Sequence, residues 1–336
     1  MTDRRAIDEH RSMENGRPGG TTPWRGSITE LGTQMDSYYG RPIVKEPVWA
    51  PEVPFYFWTG GIAGAASVLH GLARLSRNHE LAKRALVVGA IADTASPLLL
   101  IMDLGRPERF LHMMRMFKVT SPMSVGSWIL LVSGGASNTA AALELLDPLP
   151  VVHKLRPVKW LAELVSFLAG PPLATYTGAL IANTAIPVWS EARDELPWLF
   201  GASAASSAGA AIAMVTAPEH AGPARRAAVG GSAAALALTF AMEKRLGFVG
   251  EVYKEGDARR YGRIAKAATA AGAGLIALRG GRSRAATVLG GALVLGGELA
   301  LRWSVFRAGF QSAADPKYTV VPQKQRVAER GGGSST

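Results

Sequence analysis

Residues 54–75 read PFYFWTGGIAGAASVLHGLARL. Only His70 and Arg74, close to its end, bear ionisable side chains other than Tyr56. As a helix rising 1.5 Å per residue the run reaches about 33 Å, enough to cross a ~30 Å hydrocarbon core. Its centre, GGIAGAAS, is crowded with small residues, which let helix backbones approach where no hydrophobic effect joins them. Seven further runs follow: Ala85–Met102, Pro122–Leu146, Val158–Ala185, Trp198–Ala217, Ala227–Leu246, Ile264–Leu278 and Ala285–Phe306. A soluble fold could hardly bury all of them, and within lipid a helix satisfies its own backbone. The fold expected is an all-α integral membrane protein with eight transmembrane helices in two four-helix bundles. Residues 54–185 form the first bundle and residues 198–306 the second, between polar tails at 1–53 and 307–336.

Composition agrees with that expectation. Hydrophobic residues make up 48% of the 336 and charged residues 19%. The net charge of +11 would suit nucleic acid, but beside long apolar runs it reads as basic loops next to membrane lipid. No nucleic-acid partner is expected. The absence of cysteine excludes disulfides, thiolate-ligated zinc or iron–sulfur clusters, and cysteine nucleophiles within this chain. Of the histidines, only His70 falls clearly inside a span, so a bis-histidine haem is not expected, nor any metal held by this chain. Eight spans place both tails on one side. The short loops at 76–84, 147–157, 218–226 and 279–284 are denser in Lys and Arg, which favours them as cytoplasmic and the termini as outside. Arg4–Arg5 precedes no apolar segment at signal-peptide distance, so no cleavable signal is expected.

The long segment after the second span, DLGRPERFLHMMRMFKVTSPMSVGSW (103–128), is charged and partly apolar. Arg106, Arg109 and Arg115 recur at helical spacing, and Pro107 suits a first helical turn, so the spacing predicts a helix lying at the interface. Asp103 and Arg106 either cap this loop or shape a pocket mouth. Span polarity places Tyr56, Asp103, Ser121, Ser124, Trp128 and Tyr176 near the termini side, Tyr176 about 10–15 Å deep. Phe55, Phe57 and Trp58 surround Tyr56, which also fits an interfacial aromatic belt. Charges within spans usually face a bundle interior. Asp93 lies mid-span, Glu163 and His70 toward the opposite side. They form either a proton path or local pairs in wet interfaces. Glu298 and Arg302, four apart, are expected to make a structural ion pair.

The segment 103–128 resembles the NrfD/PsrC family, the membrane subunits of polysulfide, nitrite and related molybdopterin oxidoreductases. SYYGRPIVKEPVW (37–49), FWTGGIAGAAS (57–67), LATYTGALIANTAIPVW (173–189), GELALRW (297–303) and FRAGFQSAADPKYTVVPQKQR (306–326) are similar as well. The resemblance implies a haem-free anchor that is no enzyme by itself. It would pass electrons between a four-cluster ferredoxin-like iron–sulfur subunit, serving a molybdenum or tungsten catalytic subunit, and menaquinone or ubiquinone. Proton translocation is an added expectation. So is a setting in the prokaryotic cytoplasmic membrane. It places the quinone in the first four spans near the partner, with Tyr176 at the family's quinone tyrosine. Tyr56 stands where some members have a histidine. The quinone site expected is Tyr56, Asp103, Arg106, Ser121, Ser124, Trp128 and Tyr176, and the proton path is His70, Asp93 and Glu163. The polar arm 1–53 and residues 315–326 are expected to dock the iron–sulfur partner, with 36–52 ordered and 1–30 and 328–336 disordered when alone. A secondary transporter and a quinone-free membrane tether are the rival readings.

Overall fold

A computed structural model describes residues 42–104 and 108–332. Among them all regular structure is helical. Eight helices have 20 residues or more: α1 (Glu52–Leu75), α2 (His79–Asp103), α4 (Pro122–Leu145), α5 (Arg156–Ala182), α7 (Leu196–Val215), α8 (Gly222–Arg245), α9 (Gly256–Arg279) and α10 (Arg284–Ala314). Three shorter ones are α3 (Arg109–Met113), α6 (Pro187–Glu191) and α11 (Lys317–Gly332). Their starts follow local chemistry. Asn78, Ser121 and Ser283 each accept a hydrogen bond from a backbone N–H three residues on. Pro122, Pro157, Pro197 and Pro223 occupy first turns, where a missing N–H costs nothing.

Four segments are long and apolar enough to cross a membrane: α2, α5 with its short 3-10 lead-in, α7 and α10. The helices α1, α4, α8 and α9 have 24 residues each, about 36 Å. Gly, Ala, Ser and flanking charges lower their mean hydropathy, not their reach. Each of the eight exposes at least one large apolar side chain. Leu72, Ile91, Leu131, Leu168, Trp198, Phe240, Ile264 and Leu289 all point outward. The interior holds Ser67, Ser96, Ser133, Ser137, Ser166, Ser203, Ser206 and Ser232. So much exposed apolar surface on long helices would drive association in water and suits contact with lipid.

In the first half α1 packs on α2 and α5, and α4 packs on α5 and α2. In the second half α9 lies along α10 and α8 along α7. The helices α1 and α7 also touch each other. Glycine sets the closest approaches. A Cβ at Gly64 would stand 2.5 Å from the carbonyl oxygen of Gly170, and one at Gly170 would stand 2.6 Å from that of Gly64. Gly272 and Gly290 form the same reciprocal contact between α9 and α10, at 2.5 and 2.8 Å.

Several expected boundaries move. The helix at the second run begins at His79 and not Ala85, and the helix at the seventh covers Gly256–Arg279 and not only 264–278. Hydropathy stops at Lys and Arg, but the backbone stays helical while their apolar stems run along the surface. The eighth helix continues to Ala314, and α11 follows, so the region 307–336 is largely helical as far as Gly332. The interfacial helix after α2 is only Arg109–Met113, five residues. Arg106 lies outside the described residues, as do residues 1–41.

The glycine contacts make a test. Gly64→Ala should cost about 1–3 kcal/mol of stability, since backbone must shift. Gly230→Ala, whose Cβ would meet nothing within 4 Å, should be neutral or stabilising by up to about 1 kcal/mol. Thermal midpoints in detergent check the contrast.

Candidate functional site

Polar side chains of the first half gather at two levels. At the termini end the chain enters α1 through Trp49, Ala50 and Pro51. The carboxylate of Asp103, last residue of α2, accepts a hydrogen bond from the Ala50 N–H at 2.8 Å. That bond holds the incoming segment over the end of α2. Trp49 stacks on Trp189 with centroids 5.4 Å apart, and the Trp189 indole donates to the Val305 carbonyl at 2.8 Å. A cavity of about 390 Å³ lies beside them, bounded by Val44–Trp49, Thr184–Ile186 and Trp189.

One turn inside α1, Tyr56 is fully buried. Its hydroxyl lies 3.4 Å from that of Tyr176 on α5. Tyr176 is half-buried, its ring against Gly126 of α4, where any Cβ would overlap it. Three helices thus meet at a pair of phenols 120 residues apart. Thr59 extends the polar line one turn deeper. It donates to the Tyr56 carbonyl at 3.3 Å and accepts from Ser96 at 2.9 Å. Thr59, Ser96 and Gly126 are missed by a reading of ionisable residues, although Thr59 stands at i+3 from Tyr56 and Ser96 at i+3 from Asp93.

The other expected ligands divide. The Trp128 indole N–H is buried without a partner, and its ring meets Phe117 edge-on at 6.2 Å. Ser121 and Ser124 instead have local partners. Ser121 caps α4, and Ser124 accepts from Lys118 N–H and donates to the Met116 carbonyl, both at 3.0 Å. They shape the loop before α4.

The second level lies about 20 Å along the same helices. His70 Nδ1 lies 2.9 Å from the Ala82 carbonyl oxygen, so it carries the ring hydrogen and Nε2 keeps a lone pair in the neutral ring. Nε2 faces Glu163 Oε1 at 3.8 Å, and Arg74 pairs with Glu163 Oε2 at 3.3 Å. A cavity of about 430 Å³ opens here, lined by His70, Arg74, His79, Trp160, Glu163 and Phe167. One turn inward, Ser166 donates to Ser67 at 2.8 Å.

Asp93 is not joined to that pair. Its Oδ2 accepts from Ser137 at 2.5 Å and Ser133 at 3.2 Å on α4, while Oδ1 has no partner. Pro97, four residues on, cannot donate to the Asp93 carbonyl, which loosens α2 at this turn. The expected Glu298–Arg302 ion pair does not close within 4.0 Å. Arg302 donates to the Phe200 carbonyl at 3.0 Å and lies 3.7 Å from the centre of the Phe200 ring. Glu298 accepts from Thr269 at 3.4 Å. Helical spacing permits an i,i+4 pair but does not compel one when Phe200 offers both a carbonyl and a ring face.

Chemically, the termini end offers hydrogen-bond donors within apolar walls, and the far end offers acceptors. Among the described residues no group of three or more His, Asp or Glu could hold a metal ion. The Asp103–Ala50 bond yields a prediction. A charge-assisted hydrogen bond contributes about 1.5–3 kcal/mol, so Asp103→Ala should free the segment before α1. Trypsin cleavage after Lys45 should then accelerate by about tenfold or more, since opening precedes cutting. Limited proteolysis with mass spectrometry reads the rate.

No curated protein matches the chain. A family model described as polysulphide reductase, NrfD, matches residues 44–229, from the segment before α1 into α8. The match includes Tyr56, His70, Asp93, Asp103, Trp128, Glu163 and Tyr176, and it spans more than half of the 336 residues. The chain belongs to the polysulphide reductase NrfD family.

Proposed function

We propose that this multi-pass membrane protein, a subunit of an oxidoreductase complex, passes electrons between an iron–sulfur partner and the membrane quinone pool. All eight long helices cross the bilayer in this reading, α1, α2, α4 and α5 as one bundle and α7–α10 as the other. Outward apolar side chains on each of the eight support it. The segment before α1 and the stretch from Asp315 to Arg326 dock the partner on the termini side, the outer side of a prokaryotic cytoplasmic membrane. That partner is a four-cluster ferredoxin-like subunit serving a molybdenum or tungsten catalytic subunit.

The observation that carries the reading is the phenol pair. Tyr56 and Tyr176 come from different helices, sit in apolar surroundings and present hydroxyls to each other at 3.4 Å. Menaquinone or ubiquinone, when bound, exchanges two electrons and two protons between its oxidised and reduced forms. Either phenol can turn its O–H from its neighbour to a ring carbonyl, and the unpartnered Trp128 N–H offers a further donor. Gly126 leaves room for the Tyr176 ring. Asp103 positions the segment above α2, Ser121 and Ser124 hold the loop beside it, and Arg106 is assigned to the pocket mouth. Asp93, His70 and Glu163 serve proton movement, with Ser67 and Ser166 one turn inside the His70–Glu163 pair.

One observation favours a second position for the ring. The cavity at His70 has about 430 Å³ and presents two acceptors, His70 Nε2 and Glu163 Oε1, without hydrogen-bond partners. Photolabelling with an azidoquinone separates the two. Saturable label on the peptides holding Tyr56 and Tyr176 is expected. Label at His70 and Trp160–Phe167 would move the site, and no saturable label anywhere would leave only a tether.

Tyr56→Phe and Tyr176→Phe should each lower quinone-dependent turnover of the assembled complex roughly tenfold, the equivalent of about 1.4 kcal/mol for a lost donor. Turnover with a soluble artificial acceptor should not change.

A further inference from the structure

We propose that Glu298 is a proton-exchange site in the second helix group, reached from the termini side past Lys266 and closed toward the other side. This inference does not rest on the quinone reading.

Glu298 and Arg302 lie one turn apart on α10 at 1% and 0% exposure, yet neither neutralises the other by direct contact. Five polar atoms here have no partner: Glu298 Oε2, Arg302 Nε and Nη1, and the hydroxyls of Ser203 and Ser207 on α7. Buried polar atoms in folded proteins are satisfied almost without exception, so a carboxyl oxygen in this state takes a proton or a water. Ser206, also on α7, shares a hydrogen bond with Ser232 of α8 at 2.7 Å and, with Ser232 as donor, keeps its own O–H for Glu298.

The surroundings supply the way in. A cavity of about 10 Å³, roughly the room one water needs, is lined by Thr239, Ala265, Lys266, Thr269 and Glu298. A second cavity of about 380 Å³ lies where α8 ends and α9 begins, on the termini side, lined by Glu243, Tyr253, Lys254, Arg259, Arg263 and Lys266. Lys266 borders both. Its ammonium is held by both carboxylate oxygens of Glu243 at 2.7 Å. An aqueous mouth, an ion pair and a one-water space thus run in sequence to Glu298.

Toward the other side a cavity of about 510 Å³ at Arg225, Arg226 and Ile276 stops at an apolar layer before Glu298. Ala210, Ala228, Ala273, Ile276 and Val294 pack into one buried apolar cluster beyond Glu298. The charged groups at Glu298 are Arg302 on its own helix and Lys266 on α9, the latter paired outward with Glu243 of α8. From α7 come only serine hydroxyls and the Phe200 carbonyl under Arg302. The geometry is that of a one-sided proton inlet ending at a buried carboxyl.

Dicyclohexylcarbodiimide tests this, because it modifies a carboxyl only in its protonated form and favours apolar surroundings. The full chain is placed in sealed vesicles with the pH of each side set separately, and the modified peptide is identified by mass spectrometry. Modification of Glu298 is expected, slowing about tenfold for each unit of termini-side pH above the group's pKa. It should not respond to the pH of the opposite side. Lys266→Met should blunt that response, and Glu298→Gln should remove the label. No label on Glu298 at any pH, or a rate that follows the opposite side, overturns the proposal. The wild-type experiment alone decides it if a variant fails to fold.

Discussion

Helices that cross a bilayer gain nothing from the hydrophobic effect when they meet, because lipid tails are as apolar as leucine. What joins them is close packing, and here that means backbone against backbone at glycine. Gly64 with Gly170 clamps α1 to α5, and Gly272 with Gly290 clamps α9 to α10. Tyr56 and Tyr176 can meet only because the first clamp holds their helices so near. The same closeness on the second pair brings Thr269 of α9 to Glu298 of α10.

Small residues at the contacts also leave the interior without large apolar side chains in many places. Serine and threonine occupy those places and bond to carbonyls one turn back, as Ser127 does to Met123 and Thr239 to Ala235. These hydroxyls then become the neighbours of the few buried charges. Asp93 is held by two serines on α4, and Glu163 is shared between His70 and Arg74. Each buried charge in the first half therefore has partners drawn from another helix. Glu298 accepts from Thr269 of α9 and has a water-sized space beside it.

Helix α1 packs against both halves, as α5 does through α7. Its Phe57 ring packs on Phe200 of α7 with centroids 6.1 Å apart, and Arg302 of α10 lies on that same Phe200. Tyr56, beside Phe57, points to the phenol pair of the first half. A single turn of α1 thus touches the candidate quinone ligands on one side and, through one aromatic ring, the buried guanidinium on the other.

The sequence by itself determined the helical class, the near positions of the eight long helices, the family, and the separation of Tyr56 from His70 and of Tyr176 from Glu163 along their helices. Those follow from local composition and a fixed rise of 1.5 Å per residue, which need no knowledge of neighbours. Helix ends were less legible, since lysine and arginine stop a hydropathy run without stopping a helix, as at Gly256–Ile264. Only the tertiary structure decided what each polar group faces. Ser121 and Ser124, read as ligands, have their partners within their own loop, while Thr59, Ser96 and Gly126 stand at the phenols. Glu298 and Arg302 share a helix face, yet Phe200, 102 residues from Arg302, draws the guanidinium away. A side chain's partner depends on which helices pack together, and that depends on where glycine lets two backbones touch.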